Sequence, residues 1–398
     1  MKNILYVTTS YLLKNNSASI RNNSLVKGLL ELGYNVDVYT VKWPDELLSS
    51  YFVKENIGNI YYSELPNLKM IAGVKSTLKR SDNTFVLALK RVLKQILFFP
   101  DECYQWPRLL NYKAVENYDC IITSSDLKSS HFIGLSLKRR FPNIRWIQIW
   151  GDPWSSDVNT FTFMKFITAY YEKKILTKGD KIVYVSSVTK DVMANKYSSL
   201  KSKIFYIPRG YYIEDKSQCK LNDDNILHIA YTGLISSGRN IFYLLDALDK
   251  VSMRLRHRIV IDLYGNFSEK DLRKLKDYSS ANVYGSVDFE EMQNVYDSSS
   301  MLLYLSNKKG ATQIPGKLYD YMGTTKPILC LVEDDNDAIS IFLKKFDRCL
   351  VLRNNFETIV KSINLIINFS ERRFPVNKEF APINIARSFI DLLDSDVV

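Results

Sequence analysis

Lys317 and Asp320 are spaced for chemistry in this 398-residue chain. They follow Pro315, whose fixed φ and missing N–H suit a first helical turn, and precede Gly323, which stops one, so a helix is expected between those residues. Standing three apart, the two side chains share one face near the helix start, where backbone N–H groups and the dipole favour an anion. Leu318, Tyr321 and Met322 then share the buried face. A phosphate can sit with Lys317 while Asp320 holds a hydroxyl. Arg239, at the end of the loop that opens with Gly233, is a fork donor suited to phosphate, although an exposed helix-start arginine would look the same.

The elements that must position these residues alternate. Apolar runs at 301–305 and 327–332 flank the Lys317 stretch, giving strand, loop, short helix and strand. Before them come strands at 227–232 and 259–264 and a helix at 241–251, then a loop at 283–287 and a helix with acidic residues in its first turn from 288. The first half repeats the pattern, with strands at 3–8, 35–41, 118–125, 144–150 and 180–187 and helices at 19–32, 128–141 and up to 197. Such alternation defines an α/β fold, and the length suits two domains with real cores. No GxGxxG follows the first strand, so no dinucleotide site is implied. Asp152 stands where a strand ends, the place α/β domains put ligands, or else caps the next turn.

Several of these motifs resemble the retaining glycosyltransferases of family 4. Residues 311–329 (ATQIPGKLYDYMGTTKPIL) are similar to that family's signature, with Asp320 on its second carboxylate and Thr312 where the first would stand. The resemblance extends to the strand, SSxxxSxH helix and DPW run of residues 118–154, and to the IPxG step at 207–210. It also covers the glycine loop of residues 233–240, where Arg239 takes the second basic position and Leu234 the first; Lys317 is expected to supply the missing cation. It implies a GT-B fold, two Rossmann-like domains facing across a cleft, with an N-terminal acceptor domain (1–205), a nucleotide-sugar domain (206–382) and a closing helix (383–398) returning to the first. The implied reaction moves a sugar from a nucleoside-diphosphate donor to a glycan or lipid-linked acceptor in cell-surface polysaccharide synthesis. An epimerase of the same fold and a catalytically weak scaffold subunit remain open.

The resemblance assigns catalytic roles to Asp152, Arg239, Lys317 and Asp320. Around the donor it places Arg209, Gly210, Gly233, Gly265, Asn266, Ser286, Val287, Thr312, Ile314, Pro315 and Leu318. At the acceptor it places Ser17, Ser19, Arg21, Trp150 and Trp154, the tryptophans stacking on a sugar ring. The small-residue run Asn15–Ser19 reads equally well as ordinary N-cap chemistry. His131 is expected to be structural, with no second histidine near enough for a metal pair. Glu333, Asp334 and Asp335 form a solvated loop or, less simply, a metal site; side chains and dipole neutralise the diphosphate in this fold, so no metal or other cofactor is expected.

Charge divides unevenly. Residues 1–205 hold 29 lysines and arginines against 17 acids, and the remainder 25 against 26, so the whole formal charge of +11 lies in the first half. That asymmetry points to an anionic surface, nucleic acid or a membrane leaflet, or else to a plain solvated surface. Membrane is the expected partner and nucleic acid is not. Residues 74–99 interleave Lys75, Lys79, Arg80, Lys90, Arg91 and Lys94 with apolar residues, either an interfacial helix or an insertion packed on the sheet. Five cysteines without CxxC spacing argue for a reducing compartment, and no run approaches the roughly 20 apolar residues of a membrane span. The expected location is the cytoplasm, on the inner face of the cell membrane.

Overall fold

Apolar runs rich in Ile, Val, Leu and Tyr form central strands buried on both faces, while the edge strands at 59–63, 281–285 and 349–353 are more exposed, and crossovers join the parallel neighbours. The computed structural model describes residues 2–55, 58–65, 93, 95–111, 115–156, 160–215, 226–233, 235, 239–251, 258–307 and 314–395. Most of residues 74–99, together with Leu234 and Thr312, lie outside them. Two units emerge, Met1–Gly210 with Pro382–Val398, and Tyr211–Ala381.

In the first unit the elements are β1 (Asn3–Thr8), α1 (Ser17–Glu31), β2 (Asn35–Val41), α2 (Ser50–Glu55), β3 (Asn59–Ser63), β4 (Cys120–Ser125), α3 (Ser129–Arg140), β5 (Arg145–Trp150), α4 (Thr162–Lys178), β6 (Lys181–Tyr184), α5 (Ser187–Lys196) and β7 (Ile204–Tyr206). The sheet runs β3-β2-β1-β4-β5-β6-β7, every pairing parallel. Strand order reverses between β1 and β4, where Thr8 lies beside Ser124 at the carboxyl ends. Helix α1 starts at Ser17, two residues before the sequence suggests, because Asn16 is extended and its side chain accepts the Ser19 N–H at 2.8 Å.

The second unit contains β8 (Ile226–Thr232), α6 (Phe242–Val251), β9 (Arg258–Tyr264), α7 (Glu269–Leu275), β10 (Ala281–Gly285), α8 (Phe289–Ser298), β11 (Met301–Leu305), α9 (Lys317–Met322), β12 (Ile328–Val332), α10 (Ala338–Leu343), β13 (Cys349–Arg353) and α11 (Phe356–Ser370). Its sheet, β10-β9-β8-β11-β12-β13, is again all parallel and reverses between β8 and β11. Pro315 and Gly316 form the turn that leads into α9, and the Gly323 N–H closes it on the Asp320 carbonyl at 3.1 Å.

The last helix, α12 (Pro382–Asp394), packs on α1 within the first unit. Gly28 permits the approach, since a Cβ there would overlap the Pro382 carbonyl. Further ties run from Lys2 to Asp394 and from Arg145 to the Leu393 carbonyl. Gly28→Ala is therefore expected to destabilise the chain by about 1–3 kcal/mol, the usual cost of overpacking. Urea unfolding checks this, and an unchanged midpoint would show that α12 does not contribute to the cooperative unit.

Candidate ligand sites at the strand ends

In the second unit β8 hands over at Thr232 to Gly233, whose φ of +129° only glycine holds without strain. Lys317, first residue of α9, reaches this point from the far side of the switch. Its ammonium donates to the Thr232 carbonyl and lies 4.0 Å from the centre of the Tyr231 ring. A Cβ on Gly233 would occupy the ammonium's position. Arg239 comes from the loop after β8, and its Nε donates to Oδ1 of Asn307, just past β11, at 3.0 Å. One side chain thus bridges the two loops that flank the strand reversal.

The two cations feel each other. Burial holds the Lys317 ammonium well below the ordinary lysine pKa, the Arg239 charge lowers it further, and Asp320 opposes both. Burial raises the Tyr231 hydroxyl, while the charge of Arg239 and a hydrogen bond with it pull the other way. Lysine and arginine therefore engage one tyrosine, and the like charges repel there unless an anion lies between them. Asp320 sits half-buried on the same short helix and lines a pocket with Phe289, Met292, Tyr296 and Thr324.

Along the same strand ends the loops are laced through their backbones. The Gly233 N–H donates to the Tyr264 carbonyl at 2.7 Å, and Gly265 donates to Gly285 at 2.6 Å. Gly265 has a φ of +152°, and a Cβ on it would overlap the Gly233 carbonyl. Asn266 and Ser286 are exposed and Val287 half-buried beside this ladder; Ile314 and Pro315 are half-buried ahead of α9. Leu318 is different. It has no accessible surface, so its side chain serves the core and is not open to a donor.

In the first unit the reversal between β1 and β4 carries a buried polar network. Asn22 accepts from Tyr6 Oη at 2.9 Å and Ser124 Oγ at 2.7 Å, and donates to Thr8 Oγ1 at 2.8 Å and the Ser10 carbonyl at 2.7 Å. Arg21 projects into it and donates from Nη2 to Ser124 Oγ at 3.1 Å, while its Nε has no partner. Burial lowers the guanidinium's pKa, Tyr6, Asp126 and Asp152 oppose that, and Arg209 reinforces it. Asp152 is exposed at the end of β5. Arg209, expected at the donor, instead lies in this unit and donates from Nη1 to Ser17 Oγ at 2.8 Å; Gly210 follows it, buried.

Three acceptor residues occupy positions that change their reading. Ser19 is fully buried, its hydroxyl accepting the Leu13 N–H at 2.8 Å and the Asn23 amide at 3.1 Å, so it holds the β1–α1 loop. Trp150 is also fully buried. His131 packs on its ring at 4.2 Å, the Lys128 ammonium lies 5.6 Å from its centre, and its Nε1 bonds to Gln148, leaving no face for a sugar. Trp154 stacks on Phe99 at 5.6 Å and is only 8% exposed. His131 is buried and held well below the ordinary histidine pKa by desolvation, with one ring nitrogen bonded to Thr123. It is structural and neutral.

The sequence reading missed Asn307, Tyr231, Ser124 and Lys128. Ser124 and Asn307 carried a signal, Ser124 as the small polar end of a strand and Asn307 as a polar residue two positions past one, each at a switch point. Among the described residues no group of three His, Cys, Asp or Glu side chains is arranged to hold a metal, and no helix is long and apolar enough to cross a membrane.

No protein-family model matches the chain and no curated protein matches it. Solved structures do. Anabaena Alr3699/HepE in complex with UDP and glucose is 10% identical over 99% of this chain and 100% of that one, with a TM-score of 0.63. The lipopolysaccharide outer core galactosyltransferase WaaB in its apo form is 13% identical over 100% of both chains, TM-score 0.57. The UDP-GlcNAc 2-epimerase from Neisseria meningitidis bound to UDP-GlcNAc is 11% identical over 99% of both, TM-score 0.56. At such identities the likeness defines the fold, a pair of Rossmann-like domains of the GT-B type.

Lys317 generates a pH prediction. An anion bound beside it raises its depressed pKa toward the ordinary value, so binding takes up a proton and weakens as pH rises through the free-state pKa. Calorimetry of pyrophosphate binding in buffers of different ionisation enthalpy should show that uptake. Lys317→Arg, charged throughout, should abolish it; uptake that persists in that variant would assign the proton elsewhere.

Proposed function

We propose that the chain is a glycosyltransferase that takes a nucleoside-diphosphate sugar as donor. The observation that carries this reading is the meeting of Arg239 and Lys317 at the β8–β11 switch point. An arginine beside a lysine that takes up a proton on binding suits a diphosphate better than any neutral ligand, and the GT-B neighbours include proteins solved with UDP or UDP-GlcNAc. In this scheme the Gly233, Gly265, Asn266, Ser286 and Val287 loops hold the nucleoside through backbone groups, and Asp320 accepts from the ribose hydroxyls. The acceptor hydroxyl binds in the first unit near Asp152 and Arg21.

Transfer is proposed to proceed with retention. The acceptor oxygen bonds to the anomeric carbon as the bond to the β-phosphate oxygen breaks, and the leaving phosphate takes the acceptor proton. Negative charge grows on the diphosphate, where Arg239 and Lys317 stabilise it without a divalent metal. The envelope setting and a glycan or lipid-linked acceptor extend this reading. An epimerase has equal standing by fold, since WaaB and the Neisseria epimerase align almost equally well. Only a transferase needs a second substrate: nucleotide release that rises when a glycan acceptor is added supports transfer, and a new epimer formed from the donor alone overturns it.

Charged hydrogen bonds to phosphate contribute about 1.5–3 kcal/mol each. Arg239→Ala and Lys317→Ala should each lower kcat/KM by roughly ten- to hundred-fold, and the double variant by less than the product, because both groups stabilise one charge. Strict additivity in that cycle would assign the two side chains to separate ligands.

A further inference from the structure

Helix α4 is apolar on two opposite faces. Its 17 residues, about 25 Å long at 1.5 Å each, bury Met164, Thr168, Glu172, Ile175 and Leu176 against the first unit. Opposite them, at the i, i+3, i+4 and i+7 spacing of a single stripe, stand Phe163, Phe166, Ile167 and Tyr170. They are 48%, 78%, 42% and 61% exposed. A surface helix ordinarily keeps that face polar, and these four side chains leave much of their apolar surface in solvent.

The charges of α4 are sorted as well. Its one acid, Glu172, points inward. It accepts from the Trp154 N–H at 2.7 Å, Ser155 Oγ at 2.6 Å and Tyr197 Oη at 2.7 Å, and pairs with Lys196 at 3.2 Å. Burial alone would raise this carboxyl, but those partners outweigh it and hold it below the ordinary glutamate range. The outer surface of α4 therefore carries cations only: exposed Lys165, Lys173 and Lys178, and Lys174, whose ammonium lies 5.4 Å from the Tyr170 ring centre. Exposed Leu93, Ile96 and Leu97 belong to a segment tied to the helix start, where the Phe161 N–H donates to Gln95 Oε1 at 3.2 Å.

We infer that this face of α4 docks on an anionic lipid bilayer. Aromatic side chains rest at the boundary between headgroups and acyl chains, and lysine stems let their ammonium groups reach lipid phosphates. The excess of 29 basic over 17 acidic residues in 1–205 adds attraction toward such a leaflet. A second copy is a poor occupant, because it would set lysines against lysines. The inference concerns a surface of the first unit alone and holds whichever reaction the chain performs.

Co-sedimentation of the full chain with vesicles tests it. The chain should bind vesicles of phosphatidylcholine with one third phosphatidylglycerol, and bind pure phosphatidylcholine far less. Phe163→Ser, Phe166→Ser, Ile167→Ser and Tyr170→Ser combined should cut the partition coefficient about tenfold or more. A matched change of exposed apolar residues elsewhere, Val283→Ser with Leu365→Ser, should leave it unchanged. If the combined variant melts early, Phe166→Ser alone, at the most exposed position, should still weaken binding several-fold. Wild-type protein that ignores anionic vesicles, equal binding by the stripe and control variants, or a dimer that the stripe variant turns into monomer would each overturn the proposal.

Discussion

The repulsion between Arg239 and Lys317 is the constraint on which the second unit turns. Lys317 rests on a carbonyl and a tyrosine ring, and Arg239 donates to an asparagine and engages the same tyrosine. Together they raise the positive potential at one end of a parallel sheet, in full once an anion draws a proton onto Lys317. The surrounding loops follow from it. A side chain at Gly233 would crowd the ammonium, Gly265 has to be glycine to pass the Gly233 carbonyl, and each glycine's N–H is spent on the end of the next strand, Gly233 on Tyr264 of β9 and Gly265 on Gly285 of β10.

The first unit meets the same problem with opposite means. Its reversal between β1 and β4 is filled by the Asn22 network of neutral hydroxyl and amide partners; two buried cations, Arg21 and Arg209, repel each other beside it, and Tyr6, Asp126 and Asp152 offset the Arg21 charge. The Glu172 cluster then fixes the loop after β5 by taking two of its backbone N–H groups. A switch point laced with satisfied hydrogen bonds is preorganised to position a neutral hydroxyl.

Strand positions were legible because parallel, doubly buried strands read as unbroken apolar runs: β1 and β2 fall at 3–8 and 35–41 as expected. Helix α9 was legible from Pro315 and Gly323, and the convergence of Lys317 with Arg239 from resemblance joined to charge. Burial at loop ends was not. Trp150 and Ser19 stand at strand and helix ends, where polar and aromatic residues serve ligands and cores alike, and only the packing of His131 and Leu13 decides which. The motif gave Arg209 its place in the chain but not that its long side chain reaches Ser17. The stripe on α4 could not be separated from core positions, since Phe163, Phe166 and Ile167 share its periodicity with Met164 and Thr168.

The central claim is that Arg239 and Lys317 grip one diphosphate. A crystal structure of the chain with UDP tests it most directly. The account predicts phosphate oxygens within hydrogen-bonding distance, about 3 Å, of both side chains, with the Lys317 ammonium drawn off the Thr232 carbonyl. A nucleotide bound in the second unit with its diphosphate away from both cations would contradict it.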